Sequence, residues 1–262
     1  MLNDTAQKGV IRDSKVSSIL VSQPRPSDEN SHYFDLAKKY NLKIDFRPFI
    51  QIEPVSLDGF RKQNIDILSH TAIIFTSRNA VDHFFRICSE KRQEMPASMK
   101  YFCISEQTAN YLQKYILIRK RKLYCGERTA QDLIEKIKKR KNEIYLFPCS
   151  NIRKNDIPDF LKNNGYDYSE AVIYKTVASD LSDLADVNYD IIAFFSPSGI
   201  NSLFVNFPDF KQKETRIAAF GPATAKAVRD AGLTVNIEAT QSSVPSMTGA
   251  LEMYIKKVNK VK

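Results

Sequence analysis

Short runs of β-branched and aromatic residues alternate along the chain with longer stretches in which apolar residues recur every three or four positions. The runs are SSILVSQ (17–23), KIDFRPFI (43–50), AIIFTS (72–77), KYFCIS (100–105), RKLYC (121–125), EIYLFP (143–148), DIIAFFS (190–196), TRIAAFG (215–221) and TVNIEA (234–239). Each reads as a strand followed by a segment of helical spacing. The last such segment is SMTGALEMYIKKV, with Met247, Leu251, Tyr254 and Ile255 on one face. Strands that alternate with helices of this length need crossover connections, so the pattern predicts an α/β fold of parallel sheets covered by helices on both faces.

The pattern also repeats. FTSRNAV at 75–81 aligns with FFSPSGI at 194–200, an offset of 119 from 75 to 194, and Thr108-Ala109 aligns with Thr224-Ala225, an offset of 116 from 108 to 224. LIEKI near 133 and ALEMYI near 250 stand at nearly the same distance. The first copy has an additional strand and helix, EIYLFPCSNIRKNDIPDFLKNNG (143–165); the second lacks it at its end, but SSILVSQPRPSDENSHYFDLAKKYN (17–41) supplies one at the start of the chain. The layout this predicts is a flexible tail over 1–16, a discontinuous α/β domain from 17–46 plus 178–262, and an α/β domain inserted at 53–168. The crossings are KIDFRPFIQIEPV (43–55) and SEAVIYKTVAS (169–179), with linkers at 47–52 and 169–177. Both are rich in strand-forming residues and are expected to form a two-stranded β linker between two similar parallel-sheet domains of Rossmann or flavodoxin-like kind.

In open α/β sheets ligands lie outside the carboxyl ends of the strands. The turns TSRN, SEQT, SPSG and GPAT are then expected to rim one cleft between the domains. Ser77, Thr108, Ser198 and Thr224 each stand where a hydroxyl could cap a helix. The N–H groups of such a helix start suit an anion, although capping alone would also explain each hydroxyl.

Composition narrows the partner. The chain has 262 residues, and its 39 Lys and Arg against 30 Asp and Glu give a net charge of +9, which favours an anionic partner. The basic runs RKRK (119–122) and KKRK (138–141) fit a strand edge and a helix end, respectively, better than a nucleic-acid patch, having no interleaved aromatic residues. Cys88, Cys103, Cys125 and Cys149 form no CxxC pair and read as buried thiols of a reducing compartment. MLNDTAQKGVIRDSK has no apolar core of signal-peptide type and no later run approaches membrane-spanning length, so a soluble, cytoplasmic protein is expected. The eight glycines never form GxG or GxxxxGK, and His32, His70 and His83 show no metal-ligand spacing and read as surface or capping residues. No metal or cofactor is predicted. With no exposed apolar stripe, a monomer is expected.

FTSRNAV, LFPCSN, VIYKTV, FFSPSGI and AAFGPATAKAVRDAGL, in this order and at these separations, resemble the uroporphyrinogen-III synthase family over about residues 17–256. The resemblance implies two α/β domains joined by a two-stranded ladder. It also implies cyclisation of linear hydroxymethylbilane, a polycarboxylate tetrapyrrole, to uroporphyrinogen III, with inversion of the last ring, loss of water and no cofactor. It marks Tyr174 of VIYKT as the catalytic residue and Ser77, Thr108, Ser196, Ser198, Gly221 and Thr224 as substrate-binding positions. Two departures stand out. Where the family's first strand ends in Thr-Arg-Pro, this chain has Ser22-Gln23-Pro24, with Arg25 two residues after the missing arginine. Ser105 replaces a glycine common in the 104–107 turn. The competing reading from the residues is a non-catalytic two-domain module that closes on a small anion.

Overall fold

The computed structural model describes residues 14–117, 119–127, 129–185, 188–240 and 244–259. The expected tail over 1–16 therefore lies outside the described residues as far as residue 13. In chain order the elements are β1 (Ser18–Val21), α1 (His32–Tyr40), β2 (Lys43–Phe46), β3 (Ile50–Pro54), α2 (Leu57–Arg61), β4 (Ala72–Phe75), α3 (Arg78–Glu90), β5 (Lys100–Cys103), α4 (Glu106–Leu112) and β6 (Leu123–Cys125). They continue with α5 (Ala130–Lys138), β7 (Tyr145–Ser150), α6 (Asp156–Asn163), β8 (Tyr168–Ala178), β9 (Ile191–Phe194), α7 (Pro197–Asn206), β10 (Arg216–Phe220), α8 (Pro222–Asp230), β11 (Val235–Ala239) and α9 (Met247–Val258). The architecture is mixed α/β with parallel sheets.

One unit is built from the two ends of the chain, up to Gln51 and from Val177, and a second runs from Ile52 to Thr176. The division falls inside β3 and β8. Most of the stretch read as the second linker is thus a strand of the second unit, paired with β7 from Tyr145 opposite Tyr168 to Ser150 opposite Tyr174. The run KIDFRPFI, read as one strand, is two. Arg47 N–H donates to the Val21 carbonyl at 3.0 Å, continuing the β2 pairing. Pro48 then has no N–H to offer and the ladder stops. The Phe49 carbonyl accepts from Ser179 N–H at 2.9 Å and from the buried Ser202 hydroxyl.

The sheet of the first unit has the order β2-β1-β9-β10-β11, with every pair parallel. Numbered from its own first strand this is 2-1-3-4-5, the flavodoxin-like order. The second sheet runs β3-β8-β7-β4-β5-β6, parallel from β8 to β6. Setting aside β3, it has the same spatial plan with the chain entering at the third strand instead of the first. This permutation explains the internal repeat: β4, β5 and β6 match β9, β10 and β11, and β7 matches β1.

Alternate residues of the buried strands serve opposite faces. In β4, Ile73 and Phe75 pack with Val81, Phe84 and Ile87 of α3, while Ala72 and Ile74 pack with Leu133 and Ile137 of α5 and Ile157 and Leu161 of α6. In the first unit, Ile19 and Val21 face Leu251 and Ile255 of α9, and Leu20 faces Ile200 and Leu203 of α7 and Val228 of α8. The doubly covered sheets leave their carboxyl ends as the places where strands open into turns.

Candidate functional site

In the second unit β4 and β7 are neighbours whose following helices, α3 and α6, pack on opposite faces of the sheet. Connections that diverge in this way open a crevice at the carboxyl edge, the switch point of a doubly wound sheet. A cavity of about 610 Å³ lies there, lined by Thr76 and Ser77 after β4, Cys149, Ser150 and Ile152 to Lys154 around the end of β7, Thr129 before α5, and Tyr174 of β8. Its size suits a small molecule.

Ser77 holds the start of α3. Its backbone is extended, and its Oγ accepts the Ala80 N–H at 3.0 Å, satisfying one of the helix's first donors. The same Oγ lies 3.2 Å from the Tyr174 hydroxyl. Thr129 starts α5 with a reciprocal pair: its Oγ1 accepts from Asp132 N–H at 3.2 Å, and Asp132 accepts from Thr129 N–H at 2.9 Å.

Tyr174 reaches the cavity through an irregularity of β8. Cys149 pairs with Val172, but Ser150 pairs with Tyr174, so Ile173 is an extra residue. Strict alternation would send Ile173 and Tyr174 to opposite faces. With the bulge, both pack in the cluster around α3. The bulge is held from outside the β7–β8 pairing: Gln63 donates to the Val172 carbonyl at 2.8 Å and accepts its N–H at 2.9 Å, and Val55 N–H donates to the Ile173 carbonyl at 3.1 Å. Burial raises the pKa of Tyr174, an effect partly offset by the Ser77 hydrogen bond, so the phenol is protonated at neutral pH. Cys149 is pushed up to about 11, mainly by burial, and is a thiol rather than a thiolate. The charged groups at the rim are cationic Arg153 and Lys154, with Asp156 in the first turn of α6; Arg153 is paired with Glu170. The site can donate hydrogen bonds and receive anions. Among the described residues, no group of three or more His, Cys, Asp or Glu side chains could hold a metal ion, and no helix is long and apolar enough to cross a membrane.

A family model described as Uroporphyrinogen-III synthase HemD matches residues 32–249. The chain belongs to the uroporphyrinogen-III synthase family. It is an enzyme, a cyclising lyase of tetrapyrrole biosynthesis. A Methanocaldococcus jannaschii protein provisionally named uroporphyrinogen-III synthase is 27% identical over 221 residues, covering 79% of this chain and 88% of its own. The Saccharomyces cerevisiae uroporphyrinogen-III synthase is 25% identical over 211 residues, covering 70% of this chain and 75% of its own. The crystal structure of uroporphyrinogen-III synthetase from Helicobacter pylori shares the fold, with a TM-score of 0.61 at 17% identity, over 92% of this chain and 99% of that one.

Of the positions that the uroporphyrinogen-III synthase resemblance marks, the cavity brings together Ser77 and Tyr174. Three expected caps are corrected. The cap of α4 is Ser105, whose Oγ accepts the Thr108 N–H at 3.3 Å; the cap of α7 is Ser196, and that of α8 is Gly221. Both α7 and α8 begin with proline, which has no N–H and a φ already suited to a first helical position, so each helix starts before Ser198 and Thr224. Thr108 and Thr224 lie inside the first turns, 5% and 3% exposed, beside buried Ala109 and Ala225. The repeated Thr-Ala therefore packs a helix onto its sheet. Arg25 is exposed, its guanidinium 5.0 Å from the centre of the Phe34 ring.

Sequence reasoning missed three parts of the site. The T-x-x-D spacing at 129–132 could have revealed the α5 cap. The network in which Ser150 Oγ lies 3.1 Å from Thr176 Oγ1, and Asn151 Oδ1 accepts from Thr176 N–H at 2.8 Å, depends on strand pairing. So does His83, whose ring stacks on Tyr174 although it reads as a surface residue in the sequence.

Proposed function

We propose that the chain cyclises hydroxymethylbilane to uroporphyrinogen III at the switch-point cavity of the second unit, with Tyr174 as the hydrogen-bond donor to the departing hydroxyl. The observation that carries this reading is the Tyr174 hydroxyl at the cavity, 3.2 Å from the Ser77 cap.

The chemistry begins with loss of the hydroxyl from the terminal hydroxymethyl group. Tyr174 supplies a proton as the oxygen leaves as water, and the pyrrole nitrogen's electrons leave an azafulvene cation. The substituted carbon of the last pyrrole attacks that cation, giving a spiro intermediate. Fragmentation of the older bond at that carbon frees a second azafulvene, which the unsubstituted carbon of the inverted ring then attacks. That carbon loses its hydrogen as a proton, matching the one given up by the phenol. The pyrroles supply the reactivity without a cofactor. The protein holds the chain so that the substituted carbon meets the cation first, which is catalysis by positioning.

The substrate's carboxylates are proposed to meet Arg153, Lys154 and the N–H groups at the start of α6 in the second unit. Thr108 marks the start of α4 in the same unit, and Ser196, Ser198, Gly221 and Thr224 mark the starts of α7 and α8 in the first; these helix starts are proposed as further binding positions. The acting form is read as a monomer in the cytoplasm, which sedimentation and cell fractionation test. Incubating the protein with hydroxymethylbilane and separating the type I and type III products tests the activity: type III product is expected, and only type I product at the spontaneous rate overturns the reading.

A further inference from the structure

We infer that His83 is a positioning residue that holds the Tyr174 ring in its productive orientation. The inference rests on the role proposed for Tyr174, and its observation is the stack of the two rings, with centroids 5.1 Å apart and planes inclined by 22°. His83 stands on α3, the helix that Ser77 caps. One rigid element thus touches the phenol twice, at its hydroxyl through Ser77 Oγ and along its face through the imidazole.

A tyrosine on a regular strand is fixed by its neighbours on the same face. Tyr174 stands just after a bulge, where alternation has broken down, and needs a separate surface to define its ring plane. His83 supplies one. Burial, reinforced by the Arg86 cation, lowers the pKa of His83 against the opposing pull of Asp82, so the ring is neutral at neutral pH. A side chain present only to fill the core would more simply be apolar, whereas His83 Nδ1 is buried with no hydrogen-bond partner among the described residues. Arg86, one turn further along α3, donates to the Val55 carbonyl at 2.6 Å and more distantly to that of Ile173 at 3.4 Å. The same helix therefore holds both the bulge and the ring it delivers.

The test compares His83→Ala, His83→Phe, Tyr174→Phe and the double variant His83→Ala/Tyr174→Phe with hydroxymethylbilane as substrate. His83→Ala is expected to lower kcat roughly tenfold, short of the ~100-fold loss that an ångström of misplacement can cause, with little change in KM. His83→Phe retains a flat ring and should restore most of the turnover. The double variant should be no slower than Tyr174→Phe alone, since a ring without its donor gains nothing from being oriented. Losses that add, or a phenylalanine variant as slow as the alanine one, overturn the proposal. A second readout does not depend on turnover: in protein labelled at tyrosine Cζ, the signal absent from Tyr174→Phe identifies Tyr174, and it should move in His83→Ala. An unmoved signal overturns the role of His83. Near-normal turnover of Tyr174→Phe together with a moved signal overturns the catalytic reading of Tyr174 and leaves the orienting contact intact.

Discussion

Replacing Tyr174 with phenylalanine removes one oxygen and leaves the ring in place. The side chain is 8% exposed and packed in the α3 cluster, so the ring should stay stacked on His83. The folded state loses a single hydrogen bond, at 3.2 Å, to a serine that still accepts the Ala80 N–H. Such a bond contributes about 0.5–1.5 kcal/mol. For a chain of this size each kcal/mol moves Tm by roughly 2–4 °C, so the melting temperature should fall by a few degrees at most. Catalysis should suffer more. General acid assistance is worth ~10²–10⁴-fold, and the lower end is expected because the electron-rich pyrrole already expels its hydroxyl readily. A loss of about 100-fold corresponds to about 2.7 kcal/mol of transition-state stabilisation. The assay follows the ratio of type III to type I product over time, with the spontaneous type I reaction as its internal floor. Since the phenol's pKa is raised by burial, the wild-type rate should show no alkaline decline from Tyr174 below about pH 10. Near-normal type III turnover in Tyr174→Phe would refute the assignment and leave the reaction to substrate folding and backbone donors.

Asp190 gives a pH-dependent prediction for stability: despite the opposing effect of burial, hydrogen bonds from Ser17 and Ser18, at 2.8–3.1 Å from backbone and hydroxyl groups, lower its pKa. A depressed folded pKa stabilises the protein above the unfolded value of about 3.9, and the gain is lost as pH falls through the folded value. Asp190→Asn should therefore cost about 1.5–3 kcal/mol in urea unfolding at neutral pH, with the gap to wild type closing in acid; a gap independent of pH would refute the account. Gly221 has φ 79° and ψ 159°, a conformation open almost only to glycine, although an added Cβ would meet nothing within 4 Å. Gly221→Ala should lower stability by about 1–3 kcal/mol through backbone strain, measured by thermal unfolding, and an unchanged Tm would show that the turn relaxes freely. If cations and helix starts receive the substrate's carboxylates, KM should rise with added salt while kcat changes less, and a salt-independent KM would count against charge recognition.

The strands were the most legible part of the molecule. Runs such as AIIF and IIAF are buried on both faces, so their apolar character is continuous and needs no tertiary context. The repeat is what led to the expectation of a discontinuous layout, because similar turns keep their spacing even when the order of units is permuted. The site was legible only in part. Ser77 is followed directly by its helix, so its cap could be read locally; Ser198 and Thr224 were misplaced because a proline at the first helical position moves the cap upstream. The exposure of Tyr174 to the cavity depends on one extra residue in β8, and pairing, not composition, decides where a bulge falls. His83 carries no local signal, since its contact partner is 91 residues away, at 174.

In the first unit β1 lies inside the sheet, between β2 and β9, and Ile19 is paired with Ile191. During synthesis at ~5–20 residues per second, the 172 residues from Leu20 through Ile191 take on the order of ten to thirty-five seconds to appear. The strands and helices of the second unit are made within that interval and can pair as they emerge. SILV of β1 has only β2 beside it until β9 arrives, leaving an apolar strand edge unpaired, the kind of surface that recruits other chains. Nascent-chain aggregation and chaperone occupancy should therefore be greatest before Ile191 leaves the ribosome and fall once β9 has closed over β1.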